Sequence, residues 1–319
     1  MSKKMVLVLL LCSVFALPLY ADNAGDVSSN IANLNSADPA IRRQAAEALG
    51  MLRDPQAIEP LRGALKDKND FVRSAAAESL GLMRAVTASK DIAALLRSDP
   101  KGSVRQSAAV ALNYIGDAST APDLIEALKD KNDGARFAAA NALGSLRASQ
   151  ALPALKEGLS DKNVGMRRSS LDAIGRIGDK SALPAIQAAM NDPDASVRAE
   201  AVSICGNFVD KDSEGAFQQH LSASDKNEQL AAAGALAKIG SKAGLNTALT
   251  AITDKNPNIR MSAANVLSDI NDPQAVSALE SAKNDTDANV QQVATQALRK
   301  IRAHNLKPRA ADIPKTGNQ

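Results

Sequence analysis

The segment DKNDGARFAAANALGSLRASQALPALKEGLSD (residues 130–161) decides the fold. From Arg136 onward, Ala139, Ala140, Leu143 and Leu146 follow the three-to-four-residue spacing of one apolar helical face. Gly144 and Arg147-Ala148-Ser149 permit a turn. A second helix then carries Leu152, Leu155 and Leu159, with Pro153 in its first turn, where a missing N–H costs least. Asp161-Lys162-Asn163 restarts the phrase. The predicted unit is two antiparallel helices joined by tight turns, with no strand signal.

Outward from this segment the same phrase recurs along the chain. Aligned on its arginine it gives Arg42, Arg73, Arg105, Arg136, Arg167, Arg198 and Arg260, with Gln229 and Gln291 at the two remaining places. Seven of the eight intervals are 31 residues, and the one from Arg73 to Arg105 is 32. A fixed period of this size predicts an all-α chain, an α-solenoid of about eight two-helix repeats, each burying its apolar face against its neighbours. Three places after the arginine stands a small residue: Ala45, Ala76, Ala108, Ala139, Ser170, Ala201, Ala232, Ala263 and Ala294. Alanine there is expected to let neighbouring helices approach closely. Seven places after it stand Leu49, Leu80, Leu112, Leu143, Ile174, Leu236, Leu267 and Leu298, with Cys205 at the same place in its own repeat. That register reads Cys205 as a small core hydrophobe rather than a reactive thiol.

Ile174-Gly175-Arg176-Ile177-Gly178-Asp179 and Ala182-Leu183-Pro184-Ala185-Ile186 resemble the short HEAT repeats of phycobilisome-lyase-like proteins, over about residues 24–302. The resemblance implies the armadillo-like superhelical fold and a structural role for the repeated arginines and aspartates. An arginine in a first helical turn is poorly placed for the helix dipole, so another partner must reward it. Twelve residues on, at the turn between helices, stand Asp54, Asp117, Asp179, Asp210 and Asp272. Pairs between the two sets, forming a ladder, are expected from the fit of a guanidinium fork to a carboxylate.

The ends read differently. Lys3 and Lys4, the apolar run Met5 to Phe15 and Ala21 form a signal peptide over 1–21, predicting an exported and most simply periplasmic protein with no membrane span after cleavage. The repeats are assigned to 22–302 and a disordered tail to 303–319. Removing the leader takes away two lysines and no acids, so the formal charge of +3 overstates the basicity. A near-neutral chain lacks the electrostatic footprint of nucleic-acid binding.

Catalytic chemistry finds little support. The Asp-Lys-Asn turns at Asp67, Asp130, Asp161, Asp225 and Asp254 lack the alternation and terminal glutamate of an EF-hand and read as helix caps, as do Asp38-Pro39 and Asp192-Pro193. Deoxyhypusine hydroxylases, built on similar repeats, bind iron through His-Glu pairs; here Leu221 follows His220 and Asn305 follows His304. No cofactor is expected. What is left is the concave face of the second helices, where Arg62, Lys66, Lys90, Arg97, Lys129 and Lys156 are basic and Gln187, Gln218, Gln219, Asn246 and Thr250 follow in the second half. An acidic peptide or protein surface would dock on the basic half. The function expected is a non-enzymatic exported scaffold for protein partners; the alternatives are a lyase- or hydroxylase-type enzyme by fold analogy, and nucleic-acid binding.

Overall fold

The computed structural model describes residues 26–270 and 272–305. The expected leader, residues 1–21, lies outside them, as do residues 306–319 of the expected tail. The described residues are all-helical, with 18 helices and no strand, and make an α-solenoid. Two compact units divide at Ile177 and Gly178.

The first unit opens with α1 (residues 26–33), whose Val27 is buried. First helices α2 (Pro39–Leu52), α4 (Asp70–Leu82), α6 (Gly102–Ile115), α8 (Asp133–Ser145) and α10 (Val164–Ile177) alternate with shorter second helices α3 (Ile58–Ala64), α5 (Ser89–Ser98), α7 (Ala121–Ala127) and α9 (Leu152–Gly158). Each short helix is entered through a single 3-10 turn. The 32-residue interval is absorbed in α5, which runs ten residues and ends directly on Asp99. Consecutive first helices pack face to face, and each second helix packs on the first helix that follows it.

The second unit repeats the alternation of helices, with a 3-10 turn before its first two second helices and none before its last two. Its second helices are α11 (Leu183–Ala189), α13 (Glu214–His220), α15 (Leu245–Ala251) and α17 (Pro273–Ala282). Its first helices are α12 (Ala195–Asn207), α14 (Lys226–Lys238), α16 (Pro257–Ile270) and α18 (Ala288–Asn305). α18 runs to Asn305, three residues past the end expected from the sequence, so residues 303–305 are helical.

The core follows the predicted register. Leu49, Leu80, Leu112, Leu143 and Ile174 are fully buried in the first unit, as are Cys205, Leu236 and Leu267 in the second. Truncating any of these leucines to alanine removes about 2–5 kcal/mol. Burial pushes the Cys205 thiol above its ordinary pKa, and its Sγ lies 3.5 Å from Ser213 Oγ.

The closest backbone approach lies elsewhere than expected. The alanines three places after the arginine are buried, but the helices cross five places further on. A Cβ on Gly81 would lie 2.8 Å from Ala111 Cα, one on Gly144 2.8 Å from Ala173 Cα, and one on Gly206 2.8 Å from Ala235 Cα. Gly50 meets Ser79 in the same way, and Ser79 Oγ donates back across the crossing to Ala46 O at 2.8 Å. Gly144 therefore sits inside α8 as a packing residue and makes no turn. Between α14 and α16, Ala237 and Val266 occupy these places, the helices pack less closely, and a cavity of about 400 Å³ opens beside Lys238, Asp269 and Lys300.

Left-handed residues make the turn between helices. Arg53, Arg84 and Arg147 have φ of +53°, +51° and +50°, Val209 has +53°, and Gly116, Gly178 and Gly240 share the place eleven residues after the aligned position. Glycine adopts this conformation freely; a β-branched valine is strained in it.

Candidate functional site

The repeated arginines do form a ladder, on carboxylates other than the five at the helix turn. Arg42 donates Nε and Nη2 to Asp67 at 2.6 and 2.8 Å, Arg73 to Asp99 at 2.6 and 3.0 Å, and Arg260 to Asp285 at 2.8 and 2.7 Å. The partner is the aspartate that opens the next Asp-Lys-Asn-type loop. The third guanidinium nitrogen, Nη1, donates to the main-chain carbonyl six residues back: Ser36, Asp67, Asp99, Asp130, Asp161, Asp192 and Asp254 serve Arg42, Arg73, Arg105, Arg136, Arg167, Arg198 and Arg260. One aspartate thus meets two arginines, the earlier through its carboxylate and the later through its carbonyl. The guanidinium of the preceding repeat holds the carboxyls of Asp67, Asp130 and Asp285 below the usual range. Burial alone would raise Asp99, but Arg73 and the Lys101 amide bring it below that range as well.

The five aspartates of the helix turn cap instead. Asp54, Asp117, Asp179, Asp210 and Asp272 each accept the amide two residues on, at 2.8, 3.0, 2.8, 3.4 and 3.0 Å. A backbone amide two residues away is met without any tertiary fold, whereas the arginine is not. In the Asp-Lys-Asn loops the cap proper is the third residue, Asn69 or Asn132, while the leading aspartate serves the ladder. Asp38 caps α2 as expected; after Asp192-Pro193 the cap is Asp194, and Asp225 caps α14.

Gln229 and Gln291 keep half of the arginine's work. Their Nε2 atoms donate to Ala223 O and Asp285 O, each at 2.6 Å, in the place of Nη1. The carboxylate fork is lost, and Asp254 is held by Lys226 instead. In the repeat before, Ala223 stands where the ladder aspartate belongs. Arg198 turns to Glu228, with Nε 3.0 Å from Oε1 and Nη2 2.8 Å from Oε2, and His220 Nδ1 lies 2.7 Å from Oε1. Glu228 is 2% exposed, and Arg198 and His220 are the side chains that meet its buried carboxylate.

The basic residues of the second helices are largely engaged by acids one repeat on. Arg62 pairs with Glu59 at 2.6 Å and Asp91 at 2.7 Å, Arg97 with Asp123, and Lys129 with Glu157 at 3.6 Å. Lys156 also has an interaction partner. Lys66 and Lys90 are exposed and have no ion-pair partner among the described residues. On the first helices, Met51, Leu82 and Tyr114 share one register place in three consecutive repeats and are 79%, 39% and 50% exposed. Nothing in the periodicity singles them out, because that place varies freely. Among the described residues no group of three or more His, Cys, Asp or Glu could hold a metal ion, and no helix is long and apolar enough to cross a membrane.

A family description of HEAT repeats matches residues 27–113, 89–173, 159–218 and 213–299. No curated protein sequence matches the chain. Among solved structures, an engineered protein aligns over 86% of this chain and 88% of its own, at 20% identity and a TM-score of 0.51. The complex of CpcE and CpcF of phycocyanin lyase from a Nostoc species aligns over 86% and 94%, at 23% identity and a TM-score of 0.43. Human deoxyhypusine hydroxylase in complex with glycerol aligns over 89% and 98%, at 19% identity and a TM-score of 0.37.

Proposed function

The chain belongs to the HEAT repeats, and from that premise we propose a non-enzymatic, exported scaffold that binds a protein partner along the face of its second helices. One observation carries the reading. Apart from Arg136 and Asp161, the polar side chains that recur with the period among the described residues are engaged in rungs and caps, whereas the outward side chains of the helices change from repeat to repeat. A surface that varies over an invariant frame suits recognition of an extended partner. The leader-like sequence of residues 1–21 supports export.

On the second-helix face, Lys66 and Lys90 are the cations free to meet an acidic partner. A second reading is favoured by Met51, Leu82 and Tyr114, whose exposed apolar stripe would seat a partner on the first helices instead. The test is capture of a partner from the envelope fraction by the purified chain, followed by its identification. Lys66→Glu with Lys90→Glu should release the partner if the second-helix face binds it. Met51→Ser with Tyr114→Ser should do so if the stripe does. Retention by both pairs overturns both assignments, and a partner found only in the cytoplasm overturns export.

A further inference from the structure

One rung of the ladder stands open. Arg136 should fork onto Asp161, 25 residues on, as Arg105 does onto Asp130. Instead its Nη2 pairs with Asp133 at 2.8 Å, and Asn163 Nδ2 donates to the other oxygen of Asp133 at 2.7 Å. Arg136 Nε is buried with no hydrogen-bond partner. Among the described residues the Asp161 carboxylate accepts only the Asn163 amide, at 2.7 Å. Between these two groups lies a cavity of about 290 Å³.

Two substitutions in the repeat fall at the same place. Gly158 lines the cavity where the neighbouring repeat has Ala127. Beneath it Ser170 replaces the usual alanine; a Cβ on Gly158 would lie 2.2 Å from Ser170 Oγ, and that hydroxyl too is buried without a partner. The cavity therefore borders an unsatisfied cationic donor and an under-used carboxylate, with an unsatisfied hydroxyl below and apolar walls from Leu128, Ala154 and Met166. Buried orphan groups of this kind are rare in native structures and cost free energy unless something fills them. The charged side chains lining the cavity balance: Lys129, Arg136 and Lys162 against Asp130, Glu157 and Asp161.

We propose that this open rung is a binding site for a small zwitterion of the α-amino-acid class. The ligand carboxylate meets Arg136 Nε, the ligand ammonium meets Asp161, and an apolar side chain packs on Leu128 and Met166. A purely anionic ligand would face the uncompensated Asp161, and a purely cationic one would face Arg136. The site is independent of the proposed scaffold role.

The test is calorimetric titration of the full chain with L-leucine, L-methionine and glycine. Leucine or methionine should bind with a Kd below about 1 mM. L-leucinamide, which lacks the carboxylate, and N-acetyl-L-leucine, which lacks the ammonium, should bind more than about tenfold more weakly, a difference of about 1.4 kcal/mol. Arg136→Gln and Asp161→Asn should each abolish the heat while keeping the native circular dichroism. Arg42→Gln, in a closed rung whose partner Asp67 does not line the cavity, should leave binding intact. Absence of binding by every amino acid, equal binding of the blocked analogues, or binding unchanged in Arg136→Gln overturns the proposal. Should a variant fail to fold, the unsubstituted chain decides: L-leucine at about 10 mM should raise its thermal midpoint more than L-leucinamide or N-acetyl-L-leucine does, and equal or absent shifts overturn the proposal.

Discussion

Arg105 and Asp130 lie 25 residues apart and meet through two parallel hydrogen bonds, Nε to Oδ2 at 2.6 Å and Nη2 to Oδ1 at 2.7 Å, while Arg105 Nη1 reaches back to Asp99 O at 2.7 Å. The side chains are 15% and 10% exposed, so removing the cation strands a half-buried carboxylate. Arg105→Met should cost about 3 kcal/mol in urea unfolding monitored by circular dichroism.

The same rung sets a pH dependence. Arg105 holds the folded Asp130 carboxyl below its ordinary value, so its contribution is complete above the unfolded pKa of about 3.9 and disappears as pH falls through the folded value. Stability should be level from about pH 5 upward and should fall below about pH 4. The gap between the native chain and Arg105→Met should narrow across that acid limb. A gap independent of pH down to about pH 2 would contradict the assignment.

The glycines of the crossings separate packing from propensity. Gly81→Ala favours the helix by about 1 kcal/mol but places a methyl 2.8 Å from Ala111 Cα, so it should destabilise by about 1–2 kcal/mol net. Gly63→Ala, with nothing within 4 Å of the new Cβ, should stabilise by about 0.5–1 kcal/mol. Opposite signs for the two in thermal unfolding are the expected result.

Val209 sits at φ +53° and is 54% exposed. Val209→Gly should stabilise by about 1 kcal/mol, since the left-handed conformation costs an L-residue about 1–2 kcal/mol. Gly116→Val, at φ +74° with open space around it, should destabilise by a similar amount. Matched shifts of opposite sign in denaturation midpoint check the pair.

Gln229→Arg should close the rung that Gln229 leaves half made. Its Nη1 can keep the bond to Ala223 O, and Asp254 stands 25 residues on with its side chain 7% exposed. The expected outcome is a higher urea midpoint, and the gain should vanish in the Asp254→Asn background.

Cys205 needs the tertiary fold to stay silent. With the thiol fully buried and burial raising its pKa, alkylation of Cys205 by iodoacetamide should be undetectable in the native chain and complete in urea.

The frame of this molecule was open to reading in one dimension. The 31-residue period, the two helices per repeat and the buried places three and seven after the arginine are local or nearest-neighbour properties, and an apolar stripe has one way to be buried when each repeat stacks on the next. Caps are equally local, which is why Asp54 and Asp272 bond the amides two residues on. The partners of the arginines were not legible in the same way. Asp54 is nearer in sequence to Arg42 than Asp67 is, yet the turn points Asp54 at its own helix while the next loop returns Asp67 to Arg42. A signal was present in the constant six-residue interval from each ladder aspartate to the next arginine, but an interval does not say which of two arginines an aspartate serves; here it serves both.

What the sequence by itself determined is the class of molecule: repeats, their helices, their core and their caps, because each depends on contacts within a few residues or on a face that must be buried. Only the tertiary structure decided the rest. The backbone crossing at Gly81 and Ala111, the fork of Arg105 on Asp130 and the failure of Arg136 to make the same fork on Asp161 all join groups about one repeat apart. Their geometry depends on how two helices stack to within a fraction of an ångström, and a single changed side chain at the crossing or in the loop redirects it.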